Sequence, residues 1–175
     1  MAASPSLHER LRFDVDNGQV LDQDRRYVLM RADVLMGMFE LMPPDLRARA
    51  MQACAASVVK YGMASVRAYQ RMANLEGAQL FEAVGAGAPS LGWGTWSFEL
   101  QGHSCRLHVR NSPFAQAANG LGQPACAPIL GMLEAVSTLA WGGPCRVREV
   151  RCSHESVHTA DEAHDTCLFE ATLIT

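Results

Sequence analysis

Apolar and small side chains recur every three or four residues through much of the first half of the chain. The positions in this stripe are Leu46, Ala50, Cys54, Val58, Tyr61, Ser65, Tyr69 and Met72. Such spacing places them all on one face of an α-helix and predicts a long helix near residues 46–72. At 1.5 Å per residue the helix is about 40 Å long. An element of that length usually forms the spine of a domain or one side of a dimer interface.

Two shorter helices are predicted on either side of the middle of the chain. The first begins at Asp33, whose carboxylate can accept from free backbone N–H groups, and ends at Met42, before Pro43 and Pro44. The second is the apolar run Pro128–Trp141, which Gly142 and the residues after it terminate. Residues 85–92 are rich in glycine and alanine and predict a loop between elements.

The remaining apolar positions alternate with polar ones, as in half-buried strands. Trp93–Leu100 and Cys105–Arg110 predict a hairpin that turns at residues 101–103. Its second strand places arginines and a histidine on one face and Leu107 and Val109 on the other. Further strands are predicted at Tyr27–Leu29, Arg146–Arg151 and Leu168–Leu173. The order of elements predicts an α+β fold, in which helices pack on one face of a small, mostly antiparallel sheet.

The length and composition predict one compact domain. With 175 residues, 49% of them apolar and 19% charged, the chain has the material for one core. We expect residues 1–18 to form a flexible N-terminal segment and residues 19–175 a single domain. A net charge of −3 disfavours nucleic acid as a partner. The longest apolar stretch, Ile129–Trp141, is too short to span a bilayer, and the first residues do not resemble a signal peptide, so we expect a cytoplasmic protein.

Four residues near the C-terminus are candidate metal ligands. They are Cys126, Glu149, Cys152 and Cys167, which lie at the predicted ends of three elements. Thiolates and a carboxylate are donors that zinc accepts in a tetrahedral site. Because the sequence contains no tight Cys-x-x-Cys pair, the spacing leaves open a second interpretation, that of separate cysteines buried in the core.

Two other groups of residues have both a functional and an ordinary interpretation. His154, His158 and His164, among several acidic residues, are either additional metal ligands or part of a solvated loop. Five aromatic residues either line an apolar ligand pocket or form an ordinary aromatic core. They are Phe81, Trp93, Trp96, Phe98 and Phe114.

Several short motifs together resemble those of a known family. In chain order they are Arg26–Ala32 (RYVLMRA), Gly92–Gly94 (GWG), Val109–Phe114 (VRNSPF), Gln123–Cys126 (QPAC), Val147–Cys152 (VREVRC) and Cys167–Glu170 (CLFE). The most specific part is Glu-x-x-Cys followed by Cys-x-Phe-Glu. On these motifs, residues 19–174 resemble the bacterial 4-vinyl reductase domain family. That family is named for a protein of bacteriochlorophyll synthesis and includes the sensory modules of phenol- and toluene-responsive transcription activators.

The resemblance implies an α+β domain, usually a homodimer, with a buried pocket for a small hydrophobic molecule. The fold is related to NO-sensing haem domains and vesicle-tethering subunits. In phenol-sensing members a zinc ion is held by Cys, Glu, Cys and Cys, which fall on Cys126, Glu149, Cys152 and Cys167. Four protein donors make this a structural zinc site. A phenol-specific pocket is not expected, because Val109 stands where the phenol sensors carry a tryptophan.

Three functions therefore follow from the sequence. The first is a stand-alone, zinc-stabilised domain that senses or sequesters a hydrophobic ligand, aromatic or tetrapyrrole-like. The second is an enzyme or accessory factor in vinyl-group reduction of (bacterio)chlorophyll precursors, although no nucleotide-binding fingerprint accompanies it. The third is a dimeric interaction protein that binds no ligand.

Overall fold

The computed structural model of the protein describes residues 7–118, 125–153 and 165–174, except the side chain of Tyr69. The helices are α1 (Leu7–Arg10), α2 (Ala32–Glu40), α3 (Pro44–Ala73), α4 (Ala78–Gly87), α5 (Pro113–Gln116) and α6 (Ala127–Trp141). The strands are β1 (Arg12–Asp14), β2 (Gln19–Asp22), β3 (Arg25–Tyr27), β4 (Thr95–Gln101), β5 (Ser104–Arg110), β6 (Cys145–Arg151) and β7 (Thr166–Leu173). The predicted α+β class is confirmed.

The strands form two antiparallel sheets. A small sheet has the order β1-β2-β3, and a larger one has the order β4-β5-β7-β6. In the larger sheet the inner face is apolar, with Leu107, Val109 and Phe169 fully buried beneath the helices. The opposite face of β5 presents Arg106 and Arg110 to solvent, as the alternation of its sequence predicts.

The long helix α3 is the main support of α6. Pro44 occupies its first turn, where the missing N–H costs nothing, and Asn74 ends it in the left-handed conformation at φ +50°. The two helices approach closely at Gly131, since a Cβ there would lie 2.3 Å from the carbonyl oxygen of Ala55. Only glycine permits this approach, which holds α6 against α3.

Residues 85–92, predicted as a loop, instead complete α4 and a following 3₁₀ turn at Ala88–Leu91. The glycines that suggested a loop allow close packing. A Cβ on Gly85 would meet the ring of Phe98 at 3.4 Å, so a small residue suits the interface between α4 and β4. Leu80, Phe81 and Val84 are the buried residues of α4, and their spacing is typical of one helix face.

The N-terminal region also differs in detail from the prediction. The strand expected at 27–29 lies at Arg25–Tyr27, and Val28 and Leu29 are exposed. Helix α2 begins after Arg31, so Asp33 lies in its first turn rather than at the cap. Within the segment predicted to be flexible, Leu7 is buried and Arg10 pairs with the buried Asp22 at 3.2 Å. Residues 7–14 therefore pack against the rest of the domain.

Among the described residues, no helix combines the length and the apolar character that crossing a lipid bilayer requires.

Candidate metal centre and aromatic cluster

The fold brings together the four side chains that the sequence singled out as metal ligands. Each of Cys126, Glu149, Cys152 and Cys167 offers one donor atom, and all four atoms lie within 4.8 Å of one another. The three cysteines are buried and Glu149 is half-buried. The Sγ atoms of Cys126 and Cys167 are 3.8 Å apart, too far for a disulfide and close enough to share an ion.

A β-bulge explains how two of these ligands come from one strand end. In a regular strand Glu149 and Cys152, three residues apart, would point to opposite faces. The pairing of β6 with β7 shifts by one residue between Glu149 and Arg151, which leaves Val150 as the extra residue. Val150 is exposed at 45%, and both ligands consequently reach the interior. The Glu-x-x-Cys spacing is the sequence signature of this bulge.

The other two ligands lie at the beginnings of α6 and β7. Cys126 is the N-cap residue of α6, and its backbone N–H donates to Oε2 of Glu149 at 3.4 Å. The N-terminus of a helix carries a partial positive charge and favours nearby anions. Cys167 lies on the inner face of β7, opposite Val109 of β5. Three separate segments of the chain therefore meet at one point.

Two serines that the sequence analysis did not select surround the cluster. Oγ of the buried Ser112 lies 3.3 Å from Sγ of Cys126 and also accepts from the N–H of Ala115, capping α5. The N–H of Ser153 donates to Sγ of Cys167 at 3.3 Å, and its hydroxyl lies at the same distance. Ser112 directly precedes Pro113, and Ser153 directly follows Cys152. These positions are the only signal that the sequence offers for the two contacts.

The electrostatics of the cluster favour a bound cation. Burial, together with the negative charge of Cys167, raises the pKa of Glu149 to about 7. Hydrogen bonds from the thiols of Cys126 and Cys152 lower the pKa of Cys167, while the hydrogen bonds that Cys126 makes to Cys152 and Cys167 raise the pKa of Cys126. Without a cation these groups must share protons, because adjacent buried anions repel one another. A divalent ion would allow all four to bind in their anionic forms.

The geometry also fits zinc. Zn–S bonds of about 2.3 Å in a tetrahedron place sulfur atoms about 3.8 Å apart, which matches the distance between Cys126 and Cys167. Oε1 of Glu149 is buried without a hydrogen-bond partner among the described residues. Leaving a buried oxygen atom without a partner costs free energy, and coordination to a metal ion would supply that partner. Three cysteines and one carboxylate would hold the metal, leaving no position for water.

The five aromatic residues predicted to line a pocket contact one another in a continuous cluster. Ring centroids lie 5.2 Å apart for Phe81 and Phe98, 6.1 Å for Phe98 and Trp96, and 6.5 Å for Trp96 and Trp93. Trp93 meets Phe114 edge-to-face at 5.2 Å. Trp141, at the end of α6, extends the cluster from Phe81 at 5.5 Å. The aromatic cluster therefore runs between α4, β4, α5 and α6.

A short path joins the aromatic cluster to the candidate metal centre. Phe114, which contacts Trp93, lies in α5 two residues after Ser112. Ser112 in turn contacts Cys126. Ser112 therefore lies between the aromatic cluster and Cys126. The three histidines considered above, His154, His158 and His164, lie outside the described residues.

No protein-family model matches this chain, and no curated protein matches it significantly. Comparison with solved structures finds the phenol-responsive sensory domain of the transcription activator PoxR in complex with phenol. The TM-score is 0.76 at 14% identity, over 95% of this chain and 86% of that one. A vinyl-4-reductase family protein from Methanocaldococcus jannaschii is similar at a TM-score of 0.47 and 13% identity, over 82% and 91% of the two chains. The fold that the resemblance to the 4-vinyl reductase domain family implies is confirmed: the chain has the fold of the PoxR sensory domain.

Proposed function

We propose that this protein is a homodimeric, cytoplasmic binding domain that senses or sequesters a small hydrophobic molecule and is stabilised by a structural zinc ion. The observation that carries the proposal is the convergence of Cys126, Glu149, Cys152 and Cys167 from three segments next to an aromatic cluster. The shared fold with a phenol-responsive sensory domain supports it.

Zinc at this site would tie the start of α6 to β6 and β7. Because the ligands are far apart in sequence, metal binding and folding are coupled. The ligand would be an aromatic or otherwise flat apolar molecule, since aromatic rings pack favourably against another ring. Phe81 and Phe114 are buried and would form the interior wall, with half-buried Trp93, Trp96 and Phe98 nearer the surface.

An exposed apolar surface supports the proposal that the partner is a second copy of the chain. Val34, Met38 and Leu41 lie at helical spacing on α2 or at its end, and Val28, Leu29 and Met30 precede the helix. Each of these six side chains is at least 48% exposed. Monomeric proteins rarely expose so many large apolar side chains in one region. We call these six residues the α2 apolar surface and propose that it forms the dimer interface.

Native mass spectrometry of freshly purified protein, combined with elemental analysis, tests the proposal. We expect a dimer with one zinc per chain and additional small-molecule mass. A bare dimer that binds neither phenol, toluene nor a porphyrin in calorimetric titration would instead support the interaction protein without a ligand. Turnover with a vinyl tetrapyrrole and a reductant would support the reductase.

A matched pair of variants locates the ligand. Trp93→Ala removes a ring from the aromatic cluster, and we expect it to weaken binding of the copurified molecule. Tyr61→Ala removes an exposed ring on α3, outside the cluster, and should leave binding unchanged. Equal effects of the two substitutions would place the ligand elsewhere.

A further inference from the structure

The outer face of the larger sheet carries a regular array of basic side chains. On β5 these are Arg106, His108 and Arg110, and on the edge strand β6 they are Arg146, Arg148 and Arg151. Strand β7 lies between the two columns and contributes Thr166, Leu168, Glu170 and Thr172. We call this surface the arginine face.

The charge of the arginine face contrasts with that of the whole chain. Its five arginines face two carboxylates, Glu99 on β4 and Glu170 on β7, whereas the complete chain has a net charge of −3. For arginines on an exposed edge strand, an alternative explanation is that they prevent strand-to-strand aggregation. That explanation does not cover Arg106 and Arg110, because β5 is paired on both sides.

Glu170 orients two of the arginines without neutralising the array. Glu170 accepts from Nε of Arg106 at 3.2 Å and from Nε of Arg148 at 3.1 Å, so one carboxylate bridges both columns. Both guanidinium groups remain more than half exposed, at 61% and 70%. Within the part of the chain that the structure describes, Arg110 and Arg146 contact no carboxylate. Among the described residues, no ion pair prevents either of these two arginines from binding an anion.

The spacing of the array suits an extended acidic chain. Two strand separations place the arginine columns about 10 Å apart, on either side of β7. Arg146, Arg148 and Glu170 border an open groove of about 450 Å³ that ends at Leu173 and Ile174. Alternate side chains of an extended peptide repeat every ~7 Å, as do Arg106, His108 and Arg110 along β5 and Arg146 and Arg148 along β6. From this geometry we propose that the arginine face is a docking surface for a protein segment with Asp or Glu at alternating positions.

Two other anionic partners fit the face less well. A nucleic acid would place phosphates against Glu170 at the centre of the array and Glu99 at its side, and nucleic-acid-binding domains usually carry an overall basic excess. An anionic membrane would need apolar or aromatic side chains to insert beside the arginines. On β4 the large aromatic residues Trp96 and Phe98 belong instead to the inner aromatic cluster. Arginine also pairs with carboxylates in a planar, bidentate geometry.

Fluorescence anisotropy with a labelled peptide tests this proposal on the full chain. The probe alternates glutamate and threonine over about ten residues, a typical strand length. The test variant is Arg110→Glu/Arg146→Glu, which alters two arginines that form no ion pair with a described residue and leaves both pairs of Glu170 intact. The control is Arg49→Glu/Arg67→Glu, an equal charge change on exposed positions of α3. We expect the test variant to lose about tenfold or more in affinity and the control less than about twofold.

A charge-swapped probe separates docking from general electrostatic attraction. An alternating lysine–threonine peptide should bind the test variant and not the native protein. Equal losses in the test and control variants, or no binding of the acidic peptide, would overturn the proposal. Tighter binding of a DNA duplex or of phosphatidylglycerol vesicles than of the acidic peptide would also overturn it. The proposal does not depend on the metal, and unchanged zinc content of both variants would separate its failure from failure of the proposed function.

Discussion

The backbone N–H of Cys126 donates to the carboxylate of Glu149. This hydrogen bond joins the N-terminus of α6 to the inner face of β6. The two residues are 23 positions apart, and a hydrogen bond of 3.4 Å between them is modest by itself. Their side chains also share the candidate metal centre with Cys152 and Cys167. A bound metal ion would connect three segments of the chain, whereas this hydrogen bond connects two.

Removing a metal ligand should therefore remove zinc and stability together. For Cys152→Ala and Cys167→Ala we expect zinc content to fall from one per chain to near zero. Loss of a zinc ion that binds only the folded state should lower the free energy of unfolding by about 3 kcal/mol. The melting temperature should then fall by about 10 °C. Elemental analysis and calorimetry measure both. Cys54→Ala, a half-buried cysteine on α3, should retain zinc. Full zinc content in either ligand variant would contradict the assignment.

Ser112 should support the metal centre from outside it. Ser112→Ala leaves the N–H of Ala115 without its cap and removes the hydroxyl beside Cys126. We expect a loss of about 1–2 kcal/mol in the free energy of unfolding and a zinc affinity about tenfold lower. Chelator competition reads the affinity, and Ser97→Ala, on the exposed face of β4, is the control. Unchanged affinity in Ser112→Ala would limit the role of this serine to helix capping.

Replacing two helical glycines by alanine should change the stability of the protein in opposite directions. At Gly131 the new Cβ would lie 2.3 Å from the carbonyl of Ala55, so α6 must move away from α3, at a cost of about 3 kcal/mol or more. At Gly37, in α2, nothing lies within 4 Å of the new Cβ, and the substitution should stabilise by about 0.5–1 kcal/mol. Denaturant unfolding of both variants checks the pair. Similar effects would mean that the helix contact is looser than described.

The ion pairs of Glu170 should make stability depend on acid pH. Hydrogen bonds from Arg148, and then from Arg106, hold the pKa of Glu170 below its ordinary value of 4.5. A lowered pKa in the folded state contributes stability above the unfolded value, which is lost as pH falls through the folded value. Glu170→Gln should therefore melt slightly below the native protein near about pH 6, by no more than about 2 °C, and the difference should vanish in acid. A difference that grew toward low pH would contradict this linkage.

The α2 apolar surface should determine the oligomeric state. Val34→Lys/Leu41→Lys places two charges where we expect a second copy of the chain to pack, and these side chains are 57% and 89% exposed. Sedimentation velocity should show a dimer for the native protein and a monomer for the variant. Tyr61→Lys, at an exposed apolar position on α3, should leave the dimer intact. A native monomer, or a variant that remains dimeric, would place the interface elsewhere.

The sequence predicted those parts of the fold that local periodicity determines. The long helix lies within two residues of its expected bounds, and the hairpin turns where expected, at residues 101–103. Helix α4 was missed because Gly85 and Gly87 are typical of loops, and their tolerance within a helix depends on tertiary contacts such as that with Phe98. The separate three-stranded sheet was missed because its strands have only three or four residues.

The residues alone left the candidate metal centre as one of two interpretations, and the resemblance favoured it. Residue types at element ends suggested Cys126, Glu149, Cys152 and Cys167, but scattered core cysteines fit the same pattern. Their convergence depends on the order of β5, β7 and β6 in the sheet, which no local signal specifies. The contacts of Ser112 and Ser153 also depend on tertiary structure, because a serine beside proline or cysteine is common in turns.

The extra residue at Val150 bears on reactivity as well as on structure. It lets one strand end supply two candidate donors, and a zinc ion held by all four donors would have no position for a water molecule. If the strand alternated regularly, the thiol of Cys152 would face solvent and the ion would keep three protein donors. Sites of that composition bind and acidify water, as hydrolytic enzymes do. A single inserted residue thus separates a candidate site with four protein donors from one that would leave a coordination position open to water.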